Sequence, residues 1–133
     1  MTFTDAFSQL GYRLASPRTD WSAEKEDGVC LSIWAKEMRP KRPGSAFDTR
    51  TDAQPIETWN HKQGFKRRLP HLGRALSDFG GYVDVVVVSG TPGEGHGSAD
   101  PWLPAKRQGY RWRITFFDPA SGHFAVETVP PAP

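Results

Sequence analysis

The segment "GGYVDVVVVS", residues 80–89, constrains the fold more than any other part of the chain. Two glycines are followed, after "YVD", by four consecutive valines, residues 85–88. Valine packs well on a pleated surface because its branched side chain is stiff at χ1. An apolar run without polar alternation is typical of a strand that is buried on both faces. The sequence therefore predicts a central strand at 82–89 that other elements cover on each side.

A helix is predicted directly before this strand, over residues 65–79. Its large apolar residues cluster within about 80° of one another at helical spacing, which defines one packing face. They are Phe65, Leu69, Leu72, Leu76 and Phe79. Pro70 is expected in the first helical turn, since a proline deeper in a helix removes a hydrogen bond. The helix is expected to pack across the sheet through the last four of these apolar residues.

The remaining pattern predicts further strands and one more helix. A short helix is expected at 3–10, a hairpin at about 20–25 and 29–36, and two strands at 110–117 and 123–129. Prolines and glycines predict an irregular crossing at 38–63 and a loop at 90–109. This order predicts a single α+β domain over 1–129. Its mostly antiparallel β-sheet carries one main helix packed across it and a short N-terminal helix. A loose, proline-rich tail is expected at 130–133.

Cysteine usage and hydropathy bear on the compartment. Cys30 is the single cysteine of the 133-residue chain, so an internal disulfide is excluded, as is typical of a reducing cytoplasm. The N-terminal region lacks the basic and long apolar parts of a secretory signal. The longest aliphatic run is far shorter than a membrane span. We therefore predict a cytoplasmic protein without membrane contact.

No motif in the sequence carries a recognised chemistry. The four histidines lie apart, and with one cysteine they do not supply the ligands of a structural zinc site. The glycine-rich stretch "SGTPGEGHG" lacks the Gly-Lys-Ser/Thr of a phosphate loop, and Pro101 and Pro104 oppose the helix that such a loop needs. No serine lies in a nucleophile-elbow sequence. We predict no catalytic residue, no metal and no cofactor, which favours a protein that is not an enzyme.

Two tryptophans flank the predicted hairpin. If Asp27 and Gly28 form its turn, Trp21 lies opposite Trp34 on one face. Such a pair could form a notch for a flat base, because a base stacks on an aromatic side chain for about 1–3 kcal/mol. Packing under a helix or under the crossing is the alternative, as is usual for large aromatics. A four-residue turn would instead pair Trp21 with Ser32 and weaken the notch.

Positive charge is concentrated in the middle of the chain. Residues 36–74 contain ten Lys or Arg against four Asp or Glu, whereas the flanking parts are each net negative. A local field of this kind attracts phosphates, although a solvated helix face is the alternative. The phosphate-binding candidates are Lys66, Arg67, Arg68, Arg74, Lys106, Arg107 and Arg111. The base-reading candidates are Trp21, Ser22, Trp34 and Trp102.

Three stretches together resemble a known domain. They are "RTDWSAEKEDGVCLSIWAKE", the basic helix and strand ending "HLGRALSDFGGYVDVVVV", and "RWRITFFD". This pattern resembles the domain that precedes the nuclease in McrA-type HNH restriction endonucleases, where it reads modified cytosine in DNA. The resemblance implies a reading function, carried by Trp21, Ser22, Trp34, Lys106 and Arg107. No HNH motif follows Val129, so cleavage is not implied.

These observations favour a stand-alone DNA-binding domain of bacterial restriction, phage defence or regulation. Its expected target is duplex DNA, with a modified base as one candidate. A nuclease or a methyltransferase encoded elsewhere is a candidate partner protein. Two alternatives stay open: a protein-interaction or accessory protein that uses its basic face, and an enzyme or binder of a small nucleotide-like ligand.

Overall fold

The computed structural model describes residues 2–17, 19–41, 44–51, 56–58, 60–89, 100–101 and 111–129. Within these residues, two α-helices flank one mixed β-sheet of eight strands. The helices are α1 (Phe3–Gln9) and α2 (Gln63–Phe79). The strands are β1 (Ser22–Lys25), β2 (Gly28–Trp34), β3 (Met38–Lys41), β4 (Gly44–Asp48), β5 (Tyr82–Ser89), β6 (Asp100–Pro101), β7 (Arg111–Phe117) and β8 (Phe124–Val129). The predicted α+β class is confirmed.

The sheet has the strand order β1-β2-β5-β7-β8-β4-β3, and β6 pairs with the end of β5. Strands β2 and β5 are parallel, and the other pairs between described strands are antiparallel. The described pairing between β5 and β7 covers Tyr82 and Val83, at the start of β5. The prediction of a mostly antiparallel sheet is therefore confirmed.

Strand β5 lies at the centre and is buried on both faces, as its valine run predicts. Val85 and Val87 belong to the core under α2, which includes Leu72. Val86 and Val88 belong to a second core under α1. We call these two faces the α2 side and the α1 side of the sheet. All four valines are 5% exposed or less.

Helix α1 is short, and a capping box fixes its start. The Thr2 hydroxyl accepts a hydrogen bond from the Asp5 N–H, and the Asp5 carboxylate accepts one from the Thr2 N–H, each at 3.1 Å. A helix of seven residues is marginal by itself. Its apolar face, Phe3, Ala6 and Phe7, is buried in the second core, which supplies the missing stabilisation.

Helix α2 begins two residues earlier than predicted and is continuous through Pro70. The prediction that Pro70 lies in the first turn, after a separate turn, is wrong. The proline leaves one carbonyl of the preceding turn without its N–H partner, and its ring faces solvent. Buried residues on both sides of it, Phe65 before and Leu72 after, hold the two halves on the same sheet. Neither described helix is long and apolar enough to cross a membrane.

The buried stripe of α2 is rotated from the predicted one. It consists of Gly64, Phe65, Arg68, Leu72 and Ala75. Leu72 is fully buried as predicted, but Leu76 is 41% exposed, so its predicted packing role is wrong. The stem of Arg68 and the small residues Gly64 and Ala75 occupy these buried positions. The pattern of large apolar residues predicts instead that the same positions face solvent.

The predicted irregular crossing at 38–63 contains a β-hairpin. Strands β3 and β4 pair with each other, and β4 pairs with β8 through Phe47 and Val126. Short 3-10 turns follow at Thr49–Thr51 and Ile56–Thr58. The partner strand β8 is remote in sequence, so the local pattern alone does not indicate this pairing. Most of the predicted 90–109 loop and the whole 130–133 tail lie outside the described residues.

The rotated stripe of α2 predicts unequal costs for two leucines. Leu72→Ala should lower the free energy of unfolding by about 2–5 kcal/mol, because it empties a buried site. Leu76→Ala, the matched control on the same helix, should cost less, about 1 kcal/mol, because Leu76 is 41% exposed and its truncation leaves no enclosed cavity. Urea denaturation of both variants measures the difference. Equal costs would contradict the observed face.

Candidate nucleic-acid interface

The first hairpin turns at Glu26 and Asp27, one residue earlier than predicted, and this sets the position of Trp21. Lys25 pairs with Gly28, and the Ser32 N–H donates to the Trp21 carbonyl at 3.0 Å. The predicted pairing of Trp21 with Trp34 is therefore wrong. Arg74 of α2 helps to fix this turn, since its guanidinium donates to the carbonyls of Lys25 and Glu26, each at 2.9 Å.

The two indoles pack against different helices. The Trp21 ring lies directly on Gly64 of α2, so close that any Cβ at this position would overlap the ring. Trp34 packs instead against the core on the α1 side, which includes Phe7 and Val88. The two indoles therefore form no notch. Each one packs against a helix, which is the alternative to the notch in the sequence analysis. This geometry does not favour a base-reading role for either indole.

Ser22 is the buried end of a series of polar contacts that reaches the surface at Glu24. Its Oγ is 2.6 Å from Nδ1 of His71, and Nε2 of His71 is 3.8 Å from a carboxylate oxygen of Glu24. The order serine, histidine, carboxylate resembles a catalytic triad, but Ser22 is 0% exposed and no substrate can reach its oxygen. The same burial keeps Ser22 from reading a base in this conformation. These polar contacts link β1 to α2.

Three of the four cationic candidates on α2 bind other parts of the protein. Arg67 lies 3.3 Å from the buried carboxylate of Asp20. Arg68 is 5% exposed and lies between the Trp21 and Phe124 rings, with its guanidinium 5.1 and 4.6 Å from their centroids.

Arg74, besides the two carbonyls at the hairpin turn, lies 3.5 Å from Glu24 and 3.4 Å from Asp78. Lys66 is exposed and remains a candidate phosphate contact. The α2 arginines therefore bind the helix to β1 and to the hairpin turn. The geometry does not favour their predicted role in phosphate binding.

Exposed arginines instead meet on the α1 side of β7. The alternation "RWRI" places Trp112 and Ile114 in the core on the α2 side and Arg111 and Arg113 on the opposite side, both exposed. The guanidinium of Arg111 lies 3.9 Å from the centroid of the Tyr82 ring, and that of Arg113 lies 5.6 Å from it. Stacking on a ring holds a guanidinium plane in place while its N–H edge stays available.

Further arginines extend this surface toward the far edge of the sheet. A bulge after Ile114 places Phe116 opposite Ala125, and Arg50 stacks on the Phe116 ring at 4.0 Å. Arg50 also binds the Asp48 carboxylate at 2.7 and 3.0 Å, and this hydrogen bonding lowers the pKa of Asp48. We define the open face as the α1 side of β7, β8, β4 and β3. Its described arginines are Arg39, Arg50, Arg111 and Arg113, and its described carboxylates are Asp48 and Glu127.

A cleft of about 330 Å³ adjoins the open face at the start of β5. Tyr82 and Arg111 form part of its wall, and Asp84 lines it with an exposed side chain. The buried Tyr12 hydroxyl donates to a carboxylate oxygen of Asp84 at 2.7 Å. Burial raises the pKa of Tyr12 above its ordinary value, so the phenol stays protonated and keeps donating.

Of the predicted site residues, Arg111 reaches the open face, whereas Trp102, Lys106 and Arg107 lie outside the described residues. The candidate site residues predicted from the sequence did not include Tyr82, Arg113 or Asp84. The alternation in "RWRIT" was the signal for placing Arg111 and Arg113 on one face. Which face stays uncovered depends on how far α1 extends across the sheet.

No protein-family model, no curated protein and no solved structure matches the chain. Within the described residues, no three His, Cys, Asp or Glu side chains come together as metal ligands. The interpretation of the site therefore depends on its geometry.

The buried position of His71 predicts a pH-dependent stability. Burial lowers the pKa of His71 below its ordinary value of 6.5, and the nearby Glu24 opposes this shift. Because the pKa is lower in the folded state, protonation of His71 favours the unfolded state. The free energy of unfolding therefore has its full value above pH 6.5 and decreases as pH falls through the folded pKa. Urea denaturation at about pH 7.5 and about pH 5 should show this loss, and His71→Gln should reduce it. An unchanged loss in the variant would assign it to other groups.

Proposed function

We propose that this domain binds DNA through the open face of its sheet. The observation that carries the proposal is the pair of exposed arginines, Arg111 and Arg113, held against Tyr82 on an exposed part of the sheet. Arginine guanidinium groups bind phosphate oxygens through two parallel N–H donors, and stacking reduces the rotamer freedom lost on binding. The surface therefore suits a phosphate backbone.

The spacing of the two arginines supports this interpretation. Residues two apart on a strand lie about 6.6–6.8 Å apart and point to the same face. Two guanidinium groups at this spacing present their N–H donors side by side, so Arg111 and Arg113 can contact phosphates along one strand. Arg39 on β3 adds a further cation to the same face.

Charge on the open face also favours an anionic partner. Four described arginines stand against two described carboxylates, and apart from the bound pair of Arg50 and Asp48, three arginines stand against one carboxylate. An acidic protein surface would meet the same arginines, so the protein-interaction alternative predicts a partner at the same place. Duplex DNA as the target and a modified base within it are the predictions that the resemblance to the McrA-type domain supports.

Two double variants with equal charge change separate the open face from α2. Arg111→Gln/Arg113→Gln removes two cations from the open face, and Lys62→Gln/Lys66→Gln removes two exposed cations from the start of α2. Duplex binding is measured by fluorescence anisotropy over a range of salt concentrations, with unmodified and cytosine-methylated duplexes. The open-face variant should flatten the log–log salt slope by about 1.8, at about 0.9 per lost phosphate contact. The α2 variant should leave the slope close to that of the parent protein.

The reverse result would place the DNA on α2, as the basic segment of the sequence predicts. Equal and small effects in both variants would indicate general charge attraction without a defined surface. An absence of duplex binding by the parent protein, or competition by an acidic polypeptide but not by DNA, would overturn the proposal in favour of a protein partner. Melting curves of both variants confirm that the fold is intact.

A further inference from the structure

We propose that the cleft beside Tyr82 is a subsite for one unpaired nucleobase that carries an exocyclic amino group. The inference rests on the proposed DNA binding, since the DNA strand on the open face supplies the base. The cleft is lined on its polar side by Tyr12, Asp27, Asp84 and Arg111 and on its apolar side by Phe79, Val85 and Trp112. Polar groups placed beside apolar side chains fix the orientation of a bound ligand.

The carboxylate of Asp84 is the group that selects the ligand. An ionised carboxylate offers about four acceptor positions on two oxygens, and the Tyr12 hydroxyl occupies one of them, on Oδ2. Acceptor capacity therefore remains on a side chain that is exposed in the cleft. The exocyclic amino groups of cytosine, adenine and guanine are donors that match it, as in carboxylate contacts to cytosine N4. Thymine has no exocyclic amino group, and its N3–H donor lies between two carbonyl oxygens, which a carboxylate repels.

Tyr12 fixes the direction of this acceptor. Its ring is buried in the core on the α1 side, and the ammonium group of Lys25 lies 4.7 Å from the ring centroid. The hydroxyl therefore stays in one position and donates to Asp84 across the parallel pair β2 and β5. The acceptor is positioned before any ligand arrives, which lowers the ordering cost of binding.

Arg111 connects the cleft with the open face. It lines the cleft and stacks on Tyr82, so a phosphate bound by its guanidinium lies next to the cleft opening. A volume of about 330 Å³ is at the lower end of ligand pockets, about 300–1,000 Å³, and suits a single base. A base can enter only when it is unpaired, and the cost of unpairing is least for a single-stranded or mismatched base.

The substitution Asp84→Asn tests the subsite with a near-isosteric side chain. The Tyr12 hydroxyl can still donate to the amide oxygen, which turns the amide N–H₂ toward the cleft. The parent protein should bind single-stranded oligonucleotides of deoxycytidine or deoxyadenosine about tenfold more tightly than thymidine oligonucleotides of equal length, as one charge-assisted hydrogen bond permits. In Asp84→Asn this preference should disappear or reverse, because the amide N–H₂ can donate to a carbonyl oxygen of thymine.

Two controls separate the subsite from the DNA surface. Tyr12→Phe removes the hydroxyl that orients Asp84 and should reduce the base preference, with a melting curve to confirm folding. Arg111→Gln/Arg113→Gln should weaken all oligonucleotides together. If the parent binds every oligonucleotide equally and Asp84→Asn changes none, the subsite is overturned while DNA binding stands. If no oligonucleotide binds, the proposed function fails, and titration of free deoxycytidine and thymidine monophosphates then decides the cleft by itself: equal or absent binding overturns it.

Discussion

The burial of strand β5 on both faces is the constraint on which the rest of the structure depends. A strand with apolar side chains on each side needs a cover on each side, and α2 and α1 supply these covers. Helix α1 has only seven residues, so its core includes residues of β1, β2 and β5, such as Ala23, Cys30 and Val86. On the same side of β7, the exposed positions Arg111 and Arg113 are charged. Within the described residues, the short helix covers the β1, β2 and β5 part of this side, and the arginines of β7 lie beyond that cover.

The charges of α2 illustrate why a basic segment is a weak guide to a binding surface. Residues 66–74 contain no acidic residue, so no ion pair within this stretch explains its arginines. Their partners come from β1 and the residues just before it: Asp20 for Arg67 and Glu24 for Arg74. Burying Arg68 between two aromatic rings has a desolvation cost. A buried charge of this kind adds little stability but specifies one position of the helix on the sheet. The helix position in turn fixes the hairpin register, because Arg74 binds the turn carbonyls.

The elements that sequence reasoning predicted correctly are those set by local pattern. The valine strand, the capped helix α1 and the alternating strands β7 and β8 each carry their signal within a few residues. The errors concern tertiary contacts. The turn of the first hairpin is decided by Arg74, which lies 49 residues from Lys25, and the position of Trp21 is decided by the absence of a side chain at Gly64. In the candidate site, the alternation of β7 predicts that its two arginines share a face. Whether that face is exposed depends on α1, which is distant in the sequence.

The proposed contacts to phosphate and the proposed contacts to a base involve different groups of this interface. Phosphate contacts give affinity and orientation without sequence information, and this is the part that Arg111 and Arg113 would supply. Sequence information requires a group that distinguishes donors from acceptors on base edges, and Asp84 is such a group because Tyr12 holds its carboxylate. Tyr82 belongs to both parts, since its ring carries the guanidinium of Arg111 and also lines the cleft. A single aromatic residue therefore joins the charged face to the cleft, and this continuity is the physical reason for treating them as one interface.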